Sequence, residues 1–282
     1  MTLDIGLMPY LNSAVFYREL PAGATNLTPM APRAMARAVE RGELDGGPLP
    51  VAEWFRLEEL LEPVGDFCVA TKQASVSILF FTRRPAEQLG GARIAVTEQT
   101  ATSVQLLRVL LKEEWRVGPA AFVTRDEPYD ALLLIGDEAL RRRHGVPGLP
   151  HVYDLGQVWF DRTGLPFVYA HWVARRDADE AELTAFERTL GESLERGIAA
   201  IDGFAGEYTE QTGLTTEGVA AYLAGFAYRM GDAEREALAA FRRCYDALPL
   251  WRPDGPEGAG AARSTRLTGA TPAARTADGG QE

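Results

Sequence analysis

The run Ala131-Leu-Leu-Leu-Ile135 constrains this chain most, being apolar at every position and bracketed by Asp130 and Gly136-Asp137. A run this short, apolar on consecutive rather than alternate residues, fits a strand buried on both faces of a parallel sheet. The small polar groups that end it fall where such a sheet opens onto a ligand cleft. Two other segments have the same form. Leu3-Asp-Ile-Gly-Leu-Met8 runs into Pro9-Tyr-Leu-Asn-Ser13, and Ser75-Val-Ser77 leads an apolar stretch that ends at Thr82. The three lie far apart in the chain and share a site only once it folds.

The rest of the pattern alternates strands with helices. Leu3–Met8 reads as a strand and Ala14–Leu20 as a helix, with Asn12 or Ser13 as its N-cap. A helix is expected over Pro32–Arg41, stopped by Gly42, then a short strand and a Gly/Pro-rich turn before a helix from Ala52. Val64–Ala70 and Ser75–Thr82 are β-branched and apolar enough for strands. At Arg83-Arg-Pro the pattern changes. A strand at Ala92–Val96, a loop at Thr97–Ala101 and a helix from Thr102 follow, with Val104, Leu107, Leu110 and Leu111 on one face. Further strands are expected at Ala120–Thr124, Ala131–Ile135 and Pro166–Ala174, and a helix at Asp154–Thr163 ended by Gly164. From Asp179 on the chain reads as helical, with an Asp232 N-cap before the last helix.

This alternation gives an α/β class. The change near residue 85 and the return strand near 170 predict one lobe inserted in another: 1–85 plus 170–251 as a discontinuous lobe, and 86–169 as the inserted one. The ligand cleft then lies between the lobes. Residues 252–282 turn to Gly, Ala, Pro, Thr and Arg, too poor in large apolar groups to offset their ordering entropy, and are expected to be a disordered tail.

A formal net charge of -11 argues against a nucleic-acid partner, and the one basic cluster, Arg141-Arg-Arg143, reads as a solvated last helical turn. Cys68 and Cys244 have no spacing for a zinc site or a disulfide framework, and His144, His151 and His171 have no ligand spacing. No metal or cofactor is expected. The N-terminus lacks a signal-peptide pattern and no apolar run spans a membrane, so the expected location is the cytoplasm, with no membrane partner. Nothing in the sequence fixes the oligomeric state.

Small polar residues are the candidate site. Asn12 follows a strand and precedes a helix, where its amide can both donate to and accept from a ligand. Ser75 and Ser77 alternate on an expected strand, so only one faces the cleft; Ser77 is favoured. Thr100-Ala101-Thr102-Ser103 opens a helix, where hydroxyls and exposed N–H groups bind a carboxylate without Lys or Arg. Gly136-Asp137 ends the buried run. Each of these also has a plain structural reading, as a cap or an ordinary strand residue. Motifs for dinucleotides, phosphate loops, serine hydrolases and zinc proteases are absent from the sequence.

Taken in order, Met8-Pro-Tyr-Leu-Asn-Ser13, Ser77-Ile-Leu-Phe-Phe-Thr82, Thr102-Ser-Val-Gln-Leu-Leu107, Asp130–Leu140, Tyr153-Asp-Leu-Gly-Gln-Val-Trp159 and Gly164-Leu-Pro-Phe167 resemble the MqnA family. These are chorismate dehydratases of the futalosine route to menaquinone, and the resemblance runs from the N-terminus to Trp251. It implies a two-lobed fold like the type II periplasmic binding proteins. It implies a hydro-lyase that converts the small molecule chorismate to 3-[(1-carboxyvinyl)oxy]benzoate. It makes Asn12 and Ser77 catalytic, while the residue pattern itself suggests Ser75, Thr100, Ala101, Thr102, Ser103, Gly136 and Asp137 as substrate-binding. Ser77 is followed by Ile where the family has Val, which leaves Ser75 as the fallback.

Two alternatives stand beside this one. The sister family, the 1,4-dihydroxy-6-naphthoate synthases, shares the fold but resembles Ile-His-Glu where this chain has Ile135-Gly-Asp137. The loss of that imidazole favours the dehydratase. A non-catalytic solute-binding protein is the other.

Overall fold

The computed structural model describes residues 2–97, 100–118 and 120–249. The expected tail at 252–282, and residues 98 and 99 of the expected 97–101 loop, lie outside them.

Apolar runs build two sheets. β1 (Asp4–Leu7), β2 (Asn26–Pro29), β3 (Gly46–Pro50) and β4 (Leu61–Thr71) belong to the first. The chain then crosses to β5 (Ile78–Thr82), β6 (Arg93–Ala95), β7 (Ala121–Val123), β8 (Ala131–Ile135) and β9 (His151–Asp154) of the second. It returns as β10 (Phe167–Arg175) and β11 (Phe226–Arg229). The first sheet has the order β11-β4-β10-β3-β1-β2 and the second β7-β6-β8-β5-β9. The fold is α/β and two-lobed, with one sheet per lobe.

Both sheets are mixed, where the sequence argued for parallel ones. β8 lies between β6, parallel to it, and β5, antiparallel. Its burial comes from this central position, and a continuous apolar run does not distinguish the two pairings. β10 is buried at every position but its last for the same reason, being antiparallel to both β3 and β4.

The crossings also differ from the expected ones. Ile78–Thr82, placed in the first lobe by the sequence, is an interior strand of the second sheet. Phe167–Tyr169, placed in the inserted lobe, lies in the first. Arg83-Arg-Pro marks the end of a strand, and the chain changes sheets earlier, over 72–77, and again over 155–166.

Helices cover the sheets: α1 (Ala14–Tyr17), α2 (Pro32–Glu40), α3 (Val51–Arg56), α4 (Thr102–Glu113), α5 (Gly136–Arg142) and α6 (Leu155–Thr163). The later part adds α7 (Glu180–Ala199), α8 (Ile201–Phe204), α9 (Thr209–Thr212), α10 (Thr216–Ala224) and α11 (Asp232–Asp246). α6 shows how local chemistry sets the ends. The Asp154 side chain accepts the N–H groups of Gly156 and Gln157, and Gly164 closes the helix at φ 70°.

Four local expectations fail. β11 interrupts the stretch read as all-helical, because Phe226-Ala-Tyr-Arg229 pairs with the edge of β4. Helix α1 ends at Tyr17, a turn short, and is preceded by a 3₁₀ turn at Leu11–Ser13 with no side-chain cap from Asn12 or Ser13. Gly231, not Asp232, precedes α11. Ser75 and Ser77 lie before β5 rather than along it, separated by Val76 at φ 60°.

One apolar cluster runs through both lobes. Phe241 of α11 lies 6.1 Å from Phe55, 4.9 Å from Phe167 and 6.2 Å from Trp159. Arg242 pairs with Glu58 at 2.7 Å on the first lobe, while Lys112 and Arg108 of α4 donate to the Ala247 and Pro249 carbonyls. α11 and the residues that follow it therefore bridge the two lobes.

Candidate active site

The strand ends and helix starts of the two lobes face each other across a narrow cleft. Met8, Tyr10, Asn12, Pro32, Pro50, Val69, Tyr169 and Ala170 line it from the first lobe; Ile78, Ala101, Thr102, Ser103, Ile135 and Gly136 line it from the second. Its cavity volume is about 60 Å³, so the walls are nearly closed. Among the described residues they carry no Asp, Glu, His, Lys or Arg.

Asn12 is in the 3₁₀ turn after β1. Its carbonyl oxygen takes a long bond from Ser13 Oγ at 3.4 Å, and its amide N–H groups have no partner among the described residues. It is thus held by the backbone turn and open to a ligand.

α4 starts at Thr102 with no side-chain cap, and Ala101, Thr102 and Ser103 at this start line the cleft. The Thr102 hydroxyl is taken up by the fold: it donates to the Tyr169 carbonyl at 3.0 Å and accepts from Ala52 N at 3.3 Å. Both bonds cross the cleft and pin it shut at that end. Ser103 also lines the cleft. Thr100 does not: it is buried, with its hydroxyl 2.8 Å from that of Thr97 and its carbonyl accepting from Arg33 at 2.6 Å.

Gly136 starts α5 at φ 62°, a conformation that favours glycine. A Cβ there would stand 3.1 Å from Tyr10 Cδ1, so the Tyr10 ring occupies the space a side chain would need. Asp137 lies behind this ring and does not line the cleft. Its carboxylate accepts from Gln211 Nε2 at 2.6 Å and weakly from Leu11 N at 3.4 Å. Burial pushes the Asp137 pKa up against these bonds, and burial followed by the Asp137 charge pushes the Tyr10 phenol up to about 12.

The two serines have different duties. Ser75 is a structural staple: its N–H and hydroxyl both donate to Asp154 Oδ1, at 2.9 and 2.8 Å, and its Oγ accepts from Ile78 N at 2.9 Å. That arrangement commits the Ser75 hydroxyl to holding the turn, away from the cleft lining. Ser77 is buried one residue behind the cleft-lining Ile78. Its Oγ accepts from the Tyr222 hydroxyl at 2.8 Å and donates to the Ser75 carbonyl at 3.3 Å, and its own carbonyl accepts from Gly136 N at 2.8 Å. The structure thus joins Asn12, Ala101, Thr102, Ser103 and Gly136 on one cleft, sets Ser77 just behind it, and places Ser75, Thr100 and Asp137 outside its lining.

Sequence reasoning missed three tyrosines. Tyr10 lies in Pro9-Tyr-Leu-Asn-Ser13, where the small polar residues carry the pattern and the ring does not. Tyr169 sits at a register shift between Val168 and Ala170 in the β10–β4 pairing, and its buried hydroxyl, near Thr71 and Ser75, makes no hydrogen bond of ordinary geometry. Tyr222, in an alanine-rich helix, carries no signal beyond that of a core aromatic. His171, by contrast, is a buried residue 4.7 Å from the Trp54 ring, with neither ring nitrogen hydrogen-bonded.

The family described as menaquinone biosynthesis matches residues 3–247. The chain belongs to this family. Within it, a chorismate dehydratase of Thermus thermophilus is 31% identical over 260 residues, covering 84% of this chain and 93% of that protein. A 1,4-dihydroxy-6-naphthoate synthase of the same organism is 32% identical over 135 residues, 44% of this chain and 45% of that one. The menaquinone-biosynthesis chain has the fold of the periplasmic aliphatic sulphonate binding protein SsuA from Escherichia coli (TM-score 0.57, 14% identity, 87% of this chain and 85% of that one). No helix among its described residues is long and apolar enough to cross a membrane.

Proposed function

We propose that this protein is a chorismate dehydratase, a hydro-lyase forming 3-[(1-carboxyvinyl)oxy]benzoate and water in the cytoplasm. The observation that carries this reading is a cleft whose described walls offer only neutral hydrogen-bonding groups and an uncapped helix start. Near-full-length similarity to a chorismate dehydratase supports it.

Such a site suits the reaction. Chorismate brings two carboxylates, a ring hydroxyl and a hydrogen on the adjacent ring carbon. Loss of that proton and of the hydroxyl forms one C=C bond and releases water, and the ring becomes aromatic. The driving force is in the product, so the protein has mainly to orient the substrate and stabilise developing charge.

The α4 N–H groups and Ser103 hold one carboxylate, with Ser77 in the same anion network. Asn12 donates to the departing hydroxyl. With no basic side chain on the described walls, the proton passes to a carboxylate of the substrate itself, a far stronger base than water. Because the cavity is nearly closed, substrate access requires the walls to part where Thr102 meets Tyr169.

The Tyr10–Gly136 contact disfavours the synthase reading, since an imidazole at 136 would have to displace the Tyr10 ring. Incubation of the purified protein with chorismate, followed by chromatography, should give the aromatic enol ether. Recovery of unchanged chorismate would overturn the assignment. Unchanged chorismate that is nonetheless bound would mark a solute-binding protein.

A further inference from the structure

We infer that Tyr222 is a positioning residue that sets Ser77 as a hydrogen-bond donor toward the substrate; this rests on the dehydratase reading above. Tyr222 belongs to α10 of the first lobe, and Ser77 enters the second sheet, so their 2.8 Å bond crosses between the lobes. Both residues are buried. Tyr222 is further held by an edge-on contact with Phe226, with ring centroids 5.1 Å apart.

The direction of this bond decides its effect. The Tyr222 hydroxyl donates and Ser77 Oγ accepts, since the serine's own proton is turned to the Ser75 carbonyl. With one lone pair occupied from the first lobe, the serine proton must point elsewhere. It now reaches the Ser75 carbonyl over 3.3 Å, a long bond that an anionic ligand can replace. Accepting from Tyr222 also polarises the serine O–H and strengthens it as a donor. Ser77 is itself fixed at its backbone, by the bond from Gly136 N and by the Asp154 bonds to the preceding Ser75 and Val76. The arrangement favours proton donation to charge and, among the described residues, places no basic side chain in hydrogen bond with Ser77 Oγ, so it assigns Ser77 to stabilisation rather than nucleophilic attack.

Tyr228 provides the control. It is as deeply buried as Tyr222 and in the same region, but its hydroxyl donates to the backbone carbonyl of Leu223 at 3.1 Å. The test is a double-mutant cycle of Tyr222→Phe and Ser77→Ala, with Tyr228→Phe beside it, read as kcat and KM for chorismate, equilibrium affinity for chorismate, and Tm. Tyr222→Phe should lower kcat roughly tenfold, and in the Ser77→Ala background it should add less than about twofold, in turnover or in affinity. Tyr228→Phe should lower Tm and leave kcat as in the wild type. Wild-type kcat in Tyr222→Phe, or losses that multiply in the double variant, would overturn the inference while the dehydratase reading stands. Equal kcat losses in Tyr222→Phe and Tyr228→Phe would also overturn it, as a general effect of core hydroxyls. A wild-type protein that does not convert chorismate would instead remove the reading on which it rests.

Discussion

The Asp154 carboxylate accepts the backbone N–H of Val76 at 2.6 Å and so ties together the two segments by which the chain passes between its lobes. One oxygen of the same group takes Ser75 N, Ser75 Oγ, Gly156 N and Gln157 N. A single side chain thus caps α6 and holds the approach to Ser77. Replacing Asp154 with Ala should lower stability by about 2–4 kcal/mol, since a cap and several charge-assisted bonds are lost together. It should also reduce kcat by displacing Ser77. Chemical denaturation and chorismate kinetics on the variant check both, and unchanged kcat would separate this tie from the site.

Val76 itself is held at φ 60°, which costs a β-branched residue about 1–2 kcal/mol. Val76→Gly removes that strain but lets the unfolded chain gain about 0.5–1 kcal/mol of entropy. The net expectation is stability equal to or slightly above the wild type. Because Val76 is exposed, lost packing contributes little. A clear fall in Tm would show that the strained turn is not borne by Val76.

Asn12→Ala should leave Tm nearly unchanged, because the side chain makes only a 3.4 Å bond to Ser13. If it donates to the departing hydroxyl, kcat should fall by about 10²–10³. Ordinary turnover with a raised KM would instead mean that Asn12 only helps to hold the substrate.

Gly136→Ala should damage both folding and turnover. The φ of 62° and the Tyr10 ring at 3.1 Å act together, and the expected loss is about 1–3 kcal/mol. Pairing it with Tyr10→Ala removes the ring and should recover part, but not the backbone share, of that loss. Thermal unfolding of the single and double variants measures the two shares.

His171 gives a pH signature. Burial, opposed weakly by Asp66, lowers its pKa to about 4, whereas an unfolded chain titrates near 6.5. The unfolded state then binds more protons between these values. The stability due to a neutral His171 is present above about pH 6.5 and is lost as pH falls toward about 4, on the order of 3 kcal/mol at most. Urea titrations across this range should show the loss in the wild type and a smaller one in His171→Phe.

The legible parts of the sequence were those set by local rules. Asp154 and Gly164 bound α6 as their types require, and the buried run at 131–135 is a central strand. Asn12 and the α4 start were recoverable because a strand end followed by a helix start has a recognisable pattern. Pairing was not legible, since consecutive apolar residues suit parallel and antiparallel neighbours equally. The crossings were missed because exposed Arg83-Arg84 at a strand end resembles a linker. Tyr222 was invisible for another reason: its partner, Ser77, is 145 residues away, and no local pattern records a contact of that span.

The placement of α11 has a further consequence for how the molecule comes apart. Phe241 is shared property, gripped by rings from either half, so neither half keeps an intact interior if the other melts. Calorimetry should therefore record one heat-absorption peak for the whole body, and cutting the chain just before Asp232 should leave a protein that cannot hold its two halves in register.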